Sequence, residues 1–407
     1  MALHDVAVVG GGPAGSHVAA RLVRLGYDVV VLERKQFLSE PVCCTGIISR
    51  ECATTFAIDE DLIFRWANGA RLFSPSGEVI RLWRPEPQAA IVDRVSFNIS
   101  LASRAQGRGA HYLMGTQVRT VSVYDDRVTI EGSCNGEPLS IEVRVAVVAT
   151  GFSLGFVEGL GLGRIGDSVP GVQVEVSAPG IDDVEVYCGQ EVAPGFFAWL
   201  VPTSPGCALV GLLSRRSPGT YLDRLLESLE AQGKVVSTNS EPLHWGIPLK
   251  PLPETYGQRL VVVGTAAGQV KPTTGGGIYY GLLCADIAAD CLDRALAVDD
   301  LSARRLARYE REWKKKLGRE LRVGYWARKL YERLSDRQIE KIFDIMQSSG
   351  IIEDLQEAED LSFDWHGGVV SRVFNYRVFL RTIAAMNIPA SLMKRLTGRG
   401  RGGGQTT

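Results

Sequence analysis

The sequence has little with which to bind a metal or build a disulfide scaffold. Eight cysteines and five histidines are spread over 407 residues, with no Cys-x-x-Cys pair and no Cys/His cluster of zinc-like spacing. A reducing compartment is expected, and no metal site. No run of about 18 consecutive apolar residues occurs, so no helix is expected to span a bilayer. Excess charge of one sign is missing too. The 45 Lys and Arg stand against 46 Asp and Glu, a formal net charge of -1, whereas binding nucleic acid over a broad surface needs a clear basic excess. The strand-like run Asp5-Val6-Ala7-Val8-Val9 begins almost at once, which leaves no secretory signal in front of it and makes a cytoplasmic location the expectation.

What is present suits an enzyme with well-buried cores. With 45% hydrophobic and 22% charged residues, 407 residues suffice for two or three domains. Val6 to Val9, Val29 to Leu32 and Val145 to Ala149 are short apolar runs suited to an α/β sheet covered on both faces. Glu78 to Trp83, and Val118 to Val123 with Arg127 to Ile130, alternate like hairpin strands, with turn residues at Ser76-Gly77 and Asp125-Asp126. Val172 to Leu213 is strand-rich and punctuated by Pro-Gly pairs, which predicts a second, antiparallel sheet. Residues from about 301 to 397 are mostly helical in pattern, and the Gly/Arg tail from Gly398 is expected to be disordered.

The first run leads into Gly10-Gly11-Gly12-Pro13-Ala14-Gly15, a predicted helix Ser16 to Leu25, and a second strand ending at Glu33. This is a dinucleotide fingerprint in its full context. Gly10 allows the tight turn, Gly12 the close approach of a pyrophosphate, and Gly15 the packing of helix on strand. Glu33 is placed to accept hydrogen bonds from ribose hydroxyls, and its charge disfavours a 2′-phosphate, leaving FAD or NAD. Asp93-Arg94 opens another helix, where the arginine suits a phosphate or a flavin edge and the pair equally suits a plain helix cap. Ala149-Thr150-Gly151 is a small-residue turn that lets backbone lie against a cofactor. A last strand, Arg259 to Val263, feeds Gly264-Thr265-Ala266-Ala267-Gly268 and Pro272-Thr273-Thr274-Gly275-Gly276-Gly277-Ile278, a glycine-rich stretch between strand and helix whose amides can face an anion or a carbonyl.

With these segments in view, residues 1 to about 295 resemble the geranylgeranyl reductase family, within the para-hydroxybenzoate hydroxylase-like flavoproteins. Pro41-Val42-Cys43-Cys44-Thr45-Gly46 resembles that family's Pro-x-x-Cys-Gly-Gly segment, with Thr45 departing from Gly and Cys43 an alternative through a one-residue shift. Phe197-Ala198-Trp199-Leu200-Val201-Pro202 resembles its Tyr-x-Trp-x-Phe-Pro cavity segment. Thr265 stands where the family usually has the Asp that holds the ribityl hydroxyls; a hydroxyl still offers one hydrogen bond.

The resemblance implies FAD as cofactor. It would be held by Gly10, Gly12, Pro13, Ala14, Gly15, Glu33, Arg34, Cys44, Thr45, Gly46, Arg94, Val118, Ala149, Thr150, Gly151, Gly264, Thr265, Gly275, Gly276, Gly277 and Ile278. It implies a Rossmann-type FAD-binding domain from residues 1–65, 91–165 and 257–298, an interleaved antiparallel-sheet substrate domain from 66–90 and 166–256, a helical C-terminal domain at 299–397, and the tail 398–407.

The implied activity is saturation of C=C bonds in a polyprenyl (geranylgeranyl) chain on a lipid or diphosphate, with hydride from reduced flavin and a proton from Cys44 or water. Cys44, Gly276 and Trp199 are the implied catalytic positions. Phe197, Trp199 and Pro202 would bind substrate, with Phe196, Leu200 and the hairpin around Trp83 lining an apolar tunnel. NAD(P)H or a ferredoxin-like protein would donate electrons. Lys314-Lys315-Lys316, Arg372 to Phe379 with Arg377 and Arg381, and Lys394-Arg395 suit peripheral contact with anionic lipid at the inner face of a membrane. The rivals are a monooxygenase or halogenase of the same fold and a non-catalytic flavoprotein electron carrier.

Overall fold

A computed structural model describes residues 4–358, 362–365 and 367–368. Its first sheet runs in the order Tyr256–Gly257, Leu260–Val262, Glu137–Val148, His4–Val9, Val29–Leu32, His111–Leu113, and all neighbours but the first pair are parallel. The pleat divides the apolar runs between two cores. Val6, Val8, Val29, Val31, Val145 and Val147 face the helices Pro13–Arg24, Arg94–Gln106 and Ile278–Leu296, while Ala7, Val9, Val30, Leu32, Ala146 and Val148 face the other layer. That layer includes the strands Thr116–Val123 and Val128–Cys134, which continue antiparallel from the long strand Glu137–Val148. Burial on both faces is why these runs are uninterruptedly apolar.

Two boundaries differ from the sequence reading. The first helix begins at Pro13, three residues before Ser16, because the fixed φ of proline suits the first helical position and its missing N–H is no loss there. The strand drawn as Val145 to Ala149 starts at Glu137, since its outer half pairs with Val128–Cys134.

The second sheet runs Ser237–Thr238, Ser168–Ser177, Cys207–Leu213, Phe197–Pro202, Val184–Cys188, Gly69–Phe73, Val79–Trp83, with Leu243–Pro248 also paired to Ser168–Ser177. It is antiparallel except where Gly69–Phe73 lies parallel to Val184–Cys188, the join between its two stretches of chain. The helix Pro218–Ala231 covers one face through Leu222, Leu225 and Leu229. A third, three-stranded sheet, Ile47–Ser49, Ala89–Val92, Ile63–Ala67, stands at the junction of the other two.

The helix Ala303–Tyr331 ties the halves together. Leu306, Tyr309, Trp313, Leu317 and Leu321 pack into the core of the first sheet, and Leu330 into a cluster with Ile80 of the second. The helices Asp336–Ser348 and Ile351–Glu357 follow. Arg372 to Phe379, Arg381, Lys394-Arg395 and the tail 398–407 lie outside the described residues.

Candidate functional site

Gly10, Gly12 and Gly15 of the first loop differ in what a side chain would meet. Gly10 has φ +105°, and a Cβ there would lie 2.5 Å from the carbonyl oxygen of Ala149. A Cβ on Gly15 would lie 1.9 Å from the oxygen of Gly10, so the helix meets the turn too closely for any side chain. Gly12 has ordinary extended φ and ψ, and no atom of the described residues lies within 4 Å of where its Cβ would be. The loop is therefore open to solvent at this position.

Around that opening the chain offers polar atoms. Glu33 accepts from the amide of Gly11 at 2.6 Å and from that of Lys35 at 2.9 Å. Burial lowers the Lys35 ammonium against the opposing pull of Glu33. Arg34 is exposed, and Val118, half-buried, follows Thr116, whose amide donates to the Glu33 carbonyl. The hydroxyl of Thr150 is buried and has no hydrogen-bond partner among the described residues, and Gly151 beside it has φ +70° and open space.

Asp93 does cap its helix, accepting from the amides of Val95 and Ser96. Arg94 does more than sit at a helix start. One nitrogen donates to Asn98 at 3.1 Å, the guanidinium stands 5.1 Å from the Phe97 ring centre, and its Nε is buried without a hydrogen-bond partner among the described residues. Its stem fills the space beside Gly46, which has φ +74° and whose Cβ would collide with the Val92 oxygen at 2.4 Å. The cysteine segment therefore leads directly to Arg94. The Cys43 thiol donates to the Leu243 carbonyl at 3.4 Å, and burial together with the neighbouring Cys44 pushes its pKa well up, keeping it protonated. Cys44 and Thr45 are half-buried.

The second glycine-rich stretch closes on the first. The Cβ of Ala14 would be 3.1 Å from one placed on Gly264 and 3.7 Å from one on Gly281. Thr265 is half-buried, its Oγ1 3.4 Å from where a Gly277 side chain would begin. Gly275 has φ +77°, and Gly277 precedes the helix Ile278–Leu296, whose start no side chain caps.

On Phe197–Pro202, Trp199 and Val201 are buried with Phe196, and half-buried Phe197 packs against them. Ala198 and Leu200 point to the opposite, helix-covered face. Leu200 is therefore no tunnel residue, and Pro202, paired with Ala208 of that same helix-side core, shares its face by the alternation of the strand. Trp199 meets Trp245 edge-on at 6.1 Å, and its Nε1 is buried without a hydrogen-bond partner among the described residues.

A cavity of about 280 Å³ opens beside this cluster, walled by Ile47, Ala67, Ala70, Leu82, Trp83 and Phe363. Trp83 lines it as expected. Phe197 and Trp199 back its wall through Ile47, Ala67 and Ala70 without lining it.

The lycopene cyclase protein model matches residues 5–347 of this chain. The digeranylgeranylglycerophospholipid reductase of Methanocaldococcus jannaschii is 30% identical over 360 residues, covering 85% of this chain and 91% of the relative. Digeranylgeranylglycerophospholipid reductase 2 of Methanothermobacter thermautotrophicus is 32% identical over 360 residues, 83% of this chain and 90% of the relative. The chain belongs to this lycopene cyclase and digeranylgeranylglycerophospholipid reductase family. The crystal structure of a geranylgeranyl bacteriochlorophyll reductase-like protein from Thermoplasma acidophilum shares this chain's fold at a TM-score of 0.82 and 23% identity, over 94% of this chain and 99% of that one.

Both relatives are reductases by name, and the site described above has features that an FAD would need. The open side of Gly12, the Thr150 hydroxyl and the Arg94 Nε, both without a hydrogen-bond partner among the described residues, and the helix start after Gly277, which no side chain caps, offer the space and donors that an FAD needs. Sequence reasoning passed over the remaining cavity walls. Ile47, Ala67, Ala70 and Phe363 are single apolar residues without a motif; Lys271, just ahead of Pro272, was visible in the loop but went unread.

Proposed function

We propose that this FAD-dependent oxidoreductase saturates the C=C bonds of a polyprenyl chain carried on a glycerophospholipid or a diphosphate. The observation that carries the reading is the cavity's chemistry. Its polar lining residues are already engaged within the protein. Asn68 donates to the Arg84 and Pro85 carbonyls, Arg84 to Gln88 and to the carbonyls of Leu355 and Ala358, Gln356 to the Arg81 carbonyl, and Ser362 to Glu51. What is left facing a guest is hydrocarbon, which suits an isoprenoid and disfavours a small polar substrate.

Reduced FAD, when bound, supplies the hydride for one alkene carbon. Gly10, Gly12 and Gly15 would hold its diphosphate at the helix start, with Pro13 and Ala14 shaping that turn. Glu33, Arg34 and Val118 would serve the adenosine part; Arg94, Ala149, Thr150, Gly151, Gly264 and Thr265 would serve the chain between the rings. Gly275, Gly276, Gly277, Ile278 and the segment Cys44 to Gly46 would serve the flavin ring. The apolar walls exclude water from the transfer. A proton for the second carbon comes from Cys44 or from a water beside it, and Trp199 holds the wall against which the chain lies. NAD(P)H or a ferredoxin-like protein reduces the cofactor. The exposed Lys314 to Lys316 on the long helix, of which Lys314 also pairs with Glu310, supply the basic side of a peripheral membrane contact.

Anaerobic incubation of dithionite-reduced protein with a geranylgeranyl glycerophospholipid tests this. Product masses should rise in steps of two hydrogens. An unchanged lipid with reversibly cycling FAD would make the protein an electron carrier, and oxygen- or halide-dependent products would make it a monooxygenase or halogenase.

A further inference from the structure

Lys271 and Asp364 form a buried charge pair that the mechanism above leaves unused. Their Nζ and Oδ1 are 2.6 Å apart, and the residues are only 4% and 1% exposed. Charges so deeply buried cost far more desolvation than a surface pair. A pair that served only as a strut would have its remaining atoms satisfied. Glu185, equally buried in the second sheet, shows that arrangement: its oxygens take Arg71, Lys234 and the Tyr187 hydroxyl. Asp364 differs, because its Oδ2 is buried with no hydrogen-bond partner among the described residues.

The pair's place is specific. The Lys271 amide donates to the Gly276 carbonyl at 3.0 Å and the Gly275 amide to the Lys271 carbonyl at 2.8 Å, so Lys271 closes the glycine loop on itself. Its side chain then runs under that loop. A Cβ on Gly276 would lie 2.6 Å from Lys271 Cε and 3.2 Å from Nζ. The same Nζ stands 4.4 Å from the ring centre of Phe363, a wall of the apolar cavity. Tyr280, on the helix that the loop introduces, donates to the Asp364 carbonyl at 2.8 Å. A fixed positive charge therefore lies directly behind the backbone of Gly276, poorly screened by water, with its counter-charge one residue from the cavity wall.

We infer that Lys271 is a positioning residue for charge: its ammonium, acting through the loop at Gly276, favours the reduced form of the flavin, and Asp364 opposes it. The inference rests on the placement of the flavin ring against Gly275 to Ile278. Two electrons and one proton entering the ring lower its charge by one, so a cation close by stabilises the reduced state and an anion destabilises it. Burial keeps both effects from being screened.

The test is the midpoint potential of the FAD-loaded protein, read by anaerobic titration against a reference dye, with FAD per chain measured in each sample. Lys271→Met should shift the potential to more negative values, Asp364→Asn to more positive values, and Lys271→Arg should leave it near that of the parent. Each neutralised charge should change the reduced-to-oxidised equilibrium on the order of tenfold, about 30 mV for a two-electron couple. Loosening of the loop would move the two neutral variants in the same direction, so shifts of one sign overturn the inference, as does no shift in FAD-loaded variants. If Lys271→Met fails to fold or to load, the nearly isosteric Asp364→Asn decides, a positive shift supporting the inference and any other result overturning it. A parent protein that holds no FAD would instead overturn the flavoprotein reading beneath.

Discussion

Replacing Gly12 by alanine separates what a glycine does for the fold from what it does for the cofactor. At Gly12 the backbone has φ -70° and ψ -176°, which alanine adopts without strain, and no atom of the described residues lies within 4 Å of the added methyl. Removing glycine's freedom from the unfolded chain should then stabilise the apoprotein by about 0.4–1 kcal/mol. The methyl would, however, occupy the space left for the diphosphate. A ligand present at a hundredfold excess over its Kd stabilises the folded state by about 2.7 kcal/mol. In Gly12→Ala that increment should vanish, so the apoprotein melts at or slightly above the parent's Tm while added FAD no longer raises it. Gly15→Ala is the contrasting control. With a methyl 1.9 Å from the Gly10 oxygen, the turn must move, and the apoprotein itself should lose stability. The assay is thermal unfolding of stripped protein with and without FAD, paired with flavin fluorescence quenching for Kd. A Gly12→Ala protein that binds FAD as tightly as the parent would refute the placement of the diphosphate at this loop.

Three further outcomes follow from the geometry. Ala67→Phe fills the cavity and should abolish or greatly slow turnover of the prenyl lipid while FAD per chain, read from absorbance, stays at the parent's level. Trp199→Ala removes a buried aromatic backing the same wall and should cost about 3–5 kcal/mol in a denaturant titration, with turnover lost before flavin. Asp167 supplies an acid-sensitive contribution. Burial alone would raise its pKa, but hydrogen bonds and charge from Arg215, with Lys329 and Tyr325 adding to them, hold it below the usual carboxylate range. A depressed folded pKa means stability that is present above the unfolded value of about 4 and is lost as the pH falls through the folded one. Asp167→Asn should therefore lower Tm at pH 7 and flatten its decline below about pH 4.

The parts of the fold legible in the sequence are those where local chemistry has no freedom. A strand buried on both faces must be apolar at every position, so Val6 to Val9 and Val29 to Leu32 announce themselves. A turn that tolerates no Cβ must hold glycine, so Gly10 and Gly15 are readable one by one. The cavity is of another kind. Ile47, Ala67 and Ala70 reach it only because short strands distant in sequence pair with one another, and Phe363 arrives from beyond the long helix. Leu200 and Pro202 were misplaced for a related reason: a motif contiguous in sequence belongs alternately to two faces of its strand, and only Phe197, Trp199 and Val201 share the face toward the site.

The small third sheet explains how two sites built from separate sheets can act on one another. The Gly46 carbonyl accepts from the Val92 amide at 3.0 Å, and Ile47 pairs with Ile91, so the cysteine segment is held along the strand Ala89–Val92. That strand lines the cavity at its start, through Ala89, and runs within two residues of Arg94 at its end. Ala67, opposite Ala89 on its other side, is a cavity wall as well. One short strand thus fixes the distance between the apolar chamber and the arginine with an unpartnered nitrogen. Its residues are all buried, Ala89 at 4% and Ala90 and Ile91 at 0%, and small enough at two of four positions to let both flanking strands approach. A larger residue at Ala90 would crowd Ile48 and Trp66, its partners on either side, in the core beneath the first sheet, and so disturb the one strand that joins the chamber to Arg94.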